Sequence, residues 1–249
     1  MRPPTNIWKT VEESELTGYS LIIPSVAVGN VGQLTCDLLI SSLQMKKIIS
    51  IYSTAVIPIL GYDPYNLNSS SLSSSCEIYA SDSRKLVVIQ LRAPLVYKYA
   101  QEFLKEIVFK LKEKKIKDII ILTSAFAHEK KHILTSPFRY LANNLCPYIN
   151  DVKTVLNWHE HEATDTSTRI YGGGFASLLY DICNENSVPC LLLYKYCSEG
   201  DNVPDAYEMI SFLANLLPLF NKSKDLHLQL VQPVSWKLLF GGPPPKDIY

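Results

Sequence analysis

A chain of 249 residues with 24 Lys plus Arg against 24 Asp plus Glu has no formal net charge. It therefore lacks the basic excess on which broad nucleic-acid binding rests. Its 47% hydrophobic and 19% charged residues argue against disorder and suffice for a sizeable core, and at about 150 residues per domain the length fits one large or two small domains.

Residues 1–18 read as an N-terminal segment ahead of the core. Residues 16–36 carry no charge. Pro24, Gly29, Asn30, Gly32 and Gln33 break that stretch, so it reads as a strand and a helix start, with no membrane span. Short, almost wholly apolar runs occur at 19–24, 47–52, 85–91, 118–123 and 188–194. Continuous apolarity of this kind is what a strand buried on both faces requires.

The stretches between these runs read as helices. Asn30 is a candidate N-cap, with Gln33 three residues on and Val31, Leu34 and Leu38 forming one face. Over 97–115, Tyr99, Phe103, Ile107 and Leu111 recur every fourth residue. Lys98, Glu102, Glu106, Lys110 and Lys114 take the solvent side of that helix. Another helix starts after Gly172-Gly173-Gly174 and runs to about Asn186. A last one opens at Asp201 or Asn202 with Pro204 in its first turn, burying Met209, Phe212, Leu213, Leu216 and Leu217. The fold class expected is α/β, a three-layer sandwich with a mainly parallel central sheet flanked by helices. Residues 19–232 then form a single domain. It carries two insertions, a Ser-rich loop near 63–75 and a charge-clustered segment near 125–170 with a short helix over 138–145. From 233 to 249 the chain is a Pro- and Gly-rich, extended tail.

No catalytic residue, cofactor site or metal site is nominated. Gly29-Asn30-Val31-Gly32 lies where an α/β protein binds phosphate, but it has neither the dinucleotide fingerprint nor the Gly-Lys-Ser/Thr of a nucleotide loop. It reads as a tight turn, and so does Gly172-Gly173-Gly174. His159 and His161 are two residues apart with no Cys or third His nearby, so His159-Glu160-His161-Glu162 reads as a solvated stretch. Gly-x-Ser-x-Gly is absent. Six scattered cysteines without a Cys-x-x-Cys pair, and no apolar signal segment, give the expectation of a reduced protein of the cytoplasm and nucleus. The most distinctive polar string is 198–206, where Glu199, Asp201 and Asn202 open a helix beyond the carboxyl end of a strand. Helix capping explains these residues, and a partner contact is the functional alternative.

Five strings in order resemble the proteasome assembly chaperone 2 family: Ser25 through Leu34, Ser136-Pro137-Phe138-Arg139-Tyr140-Leu141, the triple glycine, Ser198 through Ala206, and Ser235 through Gly241. The resemblance spans about residues 19–241. It implies a heterodimer with proteasome assembly chaperone 1 that binds α-subunits of the proteasome core particle. Such a pair promotes α-ring assembly and keeps α-rings from pairing prematurely, without catalysis. Candidate partner-binding residues are Glu199, Asp201 and Asn202, whose contact role is the alternative to capping, and Asp247, Ile248 and Tyr249, which the extended tail could present. Some chaperones of this class end in a hydrophobic residue, tyrosine and any residue; here Ile248 stands in the tyrosine position. The alternative function from the fold is a nucleoside phosphorylase- or hydrolase-like enzyme.

Overall fold

The computed structural model describes residues 3–162 and 168–238. In chain order the elements are β1 (Asn6–Thr10), β2 (Ser20–Pro24), α1 (Val31–Ser42), β3 (Lys46–Ser53), β4 (Leu60–Tyr62), β5 (Leu72–Ser74), β6 (Cys76–Ser81) and β7 (Leu86–Leu91). They continue with α2 (Tyr97–Glu113), β8 (Asp118–Phe126), β9 (Phe138–Ala142), α3 (Ile149–Thr154), β10 (His159–Glu160), α4 (Ala176–Glu185), β11 (Cys190–Cys197) and α5 (Val203–Leu216). One sheet runs in the order β1-β3-β6-β7-β2-β8-β11-β9-β10, and β4 and β5 form a separate hairpin.

The expected α/β architecture is present. At the centre of the sheet β7, β2, β8 and β11 are parallel neighbours. Antiparallel strands extend it, through β6, β3 and β1 on one side and β9 on the other. Alternation of side chains explains the continuous apolar runs. Leu21 and Ile23 of β2 enter the core beneath α2 and α4, whereas Ile22 enters the one beneath α1 and α5. All six cysteines are buried and free. Burial pushes the thiols of Cys36 and Cys76 up, so they remain neutral core side chains.

Residues 138–145 do not form a helix; their first five residues are β9. Phe138, Arg139 and Tyr140 are buried there, and β9 pairs antiparallel with β11. The arginine concealed the strand. Its guanidinium is satisfied locally, donating to the carbonyl oxygens of Ser136 at 2.6 Å and Phe138 at 2.9 Å and to Thr135 Oγ1 at 2.8 Å. It also lies over the Tyr196 ring, 5.6 Å from the centroid.

Asn30 does not cap α1 with its side chain. It has left-handed backbone at φ 54°, following Gly29 at φ 66°. Gln33 reaches away from the cap, donating to the Leu91 carbonyl at 2.9 Å.

Two segments without an apolar run also join the sheet. In β1, Asn6 Nδ2 and Trp8 Nε1 donate to the two carboxylate oxygens of Glu106 at 2.6 and 2.7 Å, tying the strand to α2. In β6 the buried Glu77 accepts from Ser73 Oγ and Tyr79 OH, both at 2.7 Å, and pairs with Lys47 at 3.1 Å. A carboxylate with this many partners is compatible with an inner strand. The Ser-rich loop contributes β5, and its Tyr65 reaches Asp37 on α1.

Candidate functional site

In an open α/β sheet, ligands bind beyond the carboxyl ends of the strands where neighbouring connections diverge. Here that crevice, between β2 and β8, is filled by the chain itself. Ser25 Oγ and Thr123 Oγ1 both donate to the Gly173 carbonyl, at 2.8 and 2.9 Å. The Phe175 amide returns to Ser25 Oγ at 2.9 Å, and the Val28 amide is used by the Gly172 carbonyl at 3.0 Å. Close approach explains the glycine at 174. A Cβ there would lie 2.2 Å from the Val26 carbonyl oxygen and 2.6 Å from Ser25 Oγ. The triple glycine is thus a plug, and it engages the Val28 and Phe175 amides, donors that a phosphate there could use.

Beside the plug lies an open apolar cleft of about 580 Å³, between the first turns of α2 and α4. Val26, Pro94, Leu95, Phe175 and Leu178 form its walls, with Tyr97, Lys98 and Gln101 at its rim. Tyr97 is 96% exposed. Such a cleft can receive an apolar side chain of a partner. It brings no acid–base pair together. Apart from Val26, which lies in the string from Ser25 to Leu34, none of its wall residues stood out in the sequence, because their strings look like ordinary helix entries; their convergence is tertiary.

The string 198–206 lies at the same end of the sheet and divides into separate roles. Glu199 is exposed. Asn202 holds the N-cap position of α5 without a side-chain cap bond, and Asp201 just before it accepts the first helical amide, that of Val203, at 3.0 Å. Asn202 is buried, donating to the Ser198 carbonyl at 3.1 Å and Asp205 Oδ2 at 2.8 Å. Its side chain packs on Gly29, where any Cβ would meet Asn202 Oδ1 at 2.6 Å. Lys195 joins the cluster through Asp205 and Glu208. Burial works against its charge, and the two carboxylates outweigh that, holding the ammonium above its usual range. Asn202 is therefore internal, whereas Glu199 and Asp201 face solvent. Asp247, Ile248 and Tyr249 lie outside the described residues.

His159 and His161 do not converge. His161 Nδ1 and Tyr194 OH are 2.8 Å apart, and burial lowers the imidazole's pKa, while His159 is exposed on β10. Among the described residues no group of three or more His, Cys, Asp or Glu is placed to hold a metal ion, and no helix is long and apolar enough to cross a membrane. At the tip of the 127–137 connection Ile133 and Leu134 are 83% and 102% exposed. Both lie within the charge-clustered segment near 125–170.

Comparison with known proteins agrees with this architecture. Residues 21–229 match the profile of the PAC2 family. The chain is 36% identical to proteasome assembly chaperone 2 of Danio rerio, covering 92% of this chain and 94% of the relative. It is 35% identical to the Homo sapiens protein of that name, covering 93% and 95%. Among solved structures it is similar in fold to Pyrococcus furiosus PbaB, an archaeal proteasome activator, with TM-score 0.66 at 16% identity over 92% of this chain and 93% of the other. Pyrococcus furiosus PbaA, an archaeal homolog of proteasome-assembly chaperone, gives TM-score 0.65 at 16% identity over 90% and 85%. With its sheet, its plugged crevice and a match running through nearly the whole described core, the chain belongs to the PAC2 family.

Proposed function

We propose that this protein is a proteasome assembly chaperone. In this reading it pairs with proteasome assembly chaperone 1, and the pair binds α-subunits, promotes α-ring assembly and prevents premature α-ring pairing. It works in the cytoplasm and nucleus as a binding surface, without catalysis. One observation carries the reading: likeness to proteins named proteasome assembly chaperone 2 runs along more than nine-tenths of the chain. The plugged crevice supports it, because the phosphate position of an α/β enzyme is taken up by residues 172–175. The exposed Glu199 and Asp201, the apolar cleft at the same end of the sheet and the tail residues Asp247, Ile248 and Tyr249 are the proposed contacts. Asn202 would act indirectly, by holding the loop that presents its neighbours.

Co-expression with the sister chaperone, followed by capture of α-subunits, tests this directly. The expected result is a co-purifying pair that retains α-subunits and releases no base from nucleosides with phosphate present. Deleting 247–249 should weaken α-subunit capture and leave the pair intact. Phosphorolysis that disappears in Glu199→Ala or Asp201→Ala would favour the enzyme reading instead.

Asp201→Ala also separates capping from contact. Loss of the bond to the Val203 amide should lower stability by about 1 kcal/mol, measured by urea unfolding. Weaker capture of α-subunits with an unchanged unfolding midpoint would show that the carboxylate serves the partner and adds nothing to the fold.

A further inference from the structure

We propose that the 127–137 connection is a preformed prong whose Ile133 and Leu134 enter an acid-rimmed apolar pocket on an α-subunit of the proteasome core particle. This rests on the chaperone reading above and adds a contact site to it.

The tip is built to keep its apolar side chains outside. Ile133 and Leu134 are almost wholly exposed and belong to neither hydrophobic core. Their loop is nonetheless held from within. Lys130 Nζ donates to the Ile133 carbonyl at 2.9 Å and also to the Thr135 carbonyl. The His132 carbonyl accepts the amide of Thr135 at 3.1 Å and its Oγ1 at 2.8 Å. At the base the buried Arg139 holds Thr135 Oγ1 and the Ser136 carbonyl, and the Tyr196 amide donates to the Pro137 carbonyl at 2.9 Å. A single exposed leucine is ordinary. Two adjacent aliphatic side chains on a tip pinned by a lysine and an arginine lose little order on entering a pocket, which favours binding.

Position and charge define the occupant. β2, β8 and β11 are parallel, so the prong leaves the sheet at the end that carries the plug, the apolar cleft, Glu199 and Asp201. Its return foot lies there too, because Phe138 pairs with Lys195 near the end of β11. The C-terminal segment runs toward the same end. The Val231 amide bonds Ser42 Oγ at the last turn of α1, and the Ser235 amide bonds the Pro64 carbonyl, next to the Tyr65 that meets Asp37 midway along that helix. All the contacts proposed above therefore face one way with the prong. Near the tip Glu129 lies 3.6 Å from His128 and Glu162 3.5 Å from His132. Lys130 is used inside the loop. Lys131 is exposed, with neither ion pair nor hydrogen bond among the described residues. The complementary pocket is apolar within and acidic at its rim.

The size of the contact decides between the two partners of the chaperone reading. A permanent pairing of subunits buries a broad apolar surface. Tyr52, Ile57, Ile59 and Leu60, exposed around a groove of about 750 Å³ on the β1–β3 side of the sheet, offer a broader one than the prong does. Two aliphatic side chains bury far less, and such a contact can be released. That suits an α-subunit, which is held only while a ring is built.

The test is capture of α-subunits by the co-expressed chaperone pair, read over a concentration series. Ile133→Ser and Leu134→Ser together should weaken capture at least about tenfold, with pairing and the unfolding midpoint as in the wild type. Exchanging the two residues, Ile133→Leu with Leu134→Ile, should retain capture. Lys131→Glu should weaken it as well, more at low salt than at high. A wild-type pair that captures no α-subunit would overturn the chaperone reading and this contact with it. Wild-type capture that survives the serine variant would overturn the prong alone. So would a serine variant that no longer pairs with the sister chaperone, or one whose only loss is binding to phosphatidylserine vesicles, because the tip would then serve a different surface.

Discussion

Asp37→Ala is expected to lower the unfolding free energy by about 3–5 kcal/mol, the usual result of removing one partner from a buried ion pair. Asp37 is 7% exposed on α1. Its Oδ1 receives Arg92 at 3.1 Å, Tyr65 OH at 2.6 Å and Gln90 Nε2 at 2.7 Å. Burial opposes the charge on Arg92, and Asp37 more than restores it, holding the guanidinium above its ordinary value. Arg92 Nε has no partner among the described residues, so the cation would keep only the Tyr65 hydroxyl, 2.9 Å from Nη2. The Tyr65 hydroxyl would keep only that contact with Arg92, so the Ser-rich loop should loosen as well. The measurement is urea denaturation, with limited proteolysis across 63–75 as a second readout. A loss below about 1 kcal/mol would mean that the cluster relaxes and admits water. Replacing Asp37 and Arg92 together by apolar residues should recover much of the stability, because no buried charge then remains unpaired.

The second large effect is expected at the plug. Gly174 has φ +61°, and a Cβ there would fall well inside contact distance of the Val26 carbonyl and Ser25 Oγ. Gly174→Ala should lower stability by about 2–5 kcal/mol, combining left-handed strain with overpacking against backbone. Gly18→Ala supplies the control. Its φ is +78° with nothing within 4 Å of the added Cβ, so it reports strain alone, about 1 kcal/mol. Thermal unfolding of the two variants separates clash from strain. Equal losses would show that the 172–175 loop can step aside, and the crevice would then be open to ligands after all.

The central strands could be read from the chain because each is buried on both faces. β2, β7, β8 and β11 largely coincide with almost wholly apolar runs, and no other environment for a short apolar run fits an α/β pattern so well. Helix α2 was legible for the complementary reason, since one face is buried and the other wet, and that imposes a period of 3.6. Local chemistry also carried through at Asp201, where a short side chain beside a helix start accepts the amide expected of a cap. The ordered strings from Ser25 to Gly241 were sufficient to indicate the family.

Where a residue's environment depends on distant chain, the sequence misled or was silent. Arg139 made β9 look like part of a helix, because the carbonyls, hydroxyl and aromatic ring that satisfy it are set in place by the strand itself and by β11. Glu77 concealed β6 in the same way, its partners coming from β3 and the Ser-rich loop. Asn30 and Gln33 have the residue types of a capping box, yet the tight turn at Gly29 and the end of β7 determine what they do. The plug and the apolar cleft have no local signature at all. Periodicity reports how much of each face an element buries; which loops converge and which edge stays unpaired follow from long-range strand order, and that is decided only when the whole sheet closes on its two helical layers.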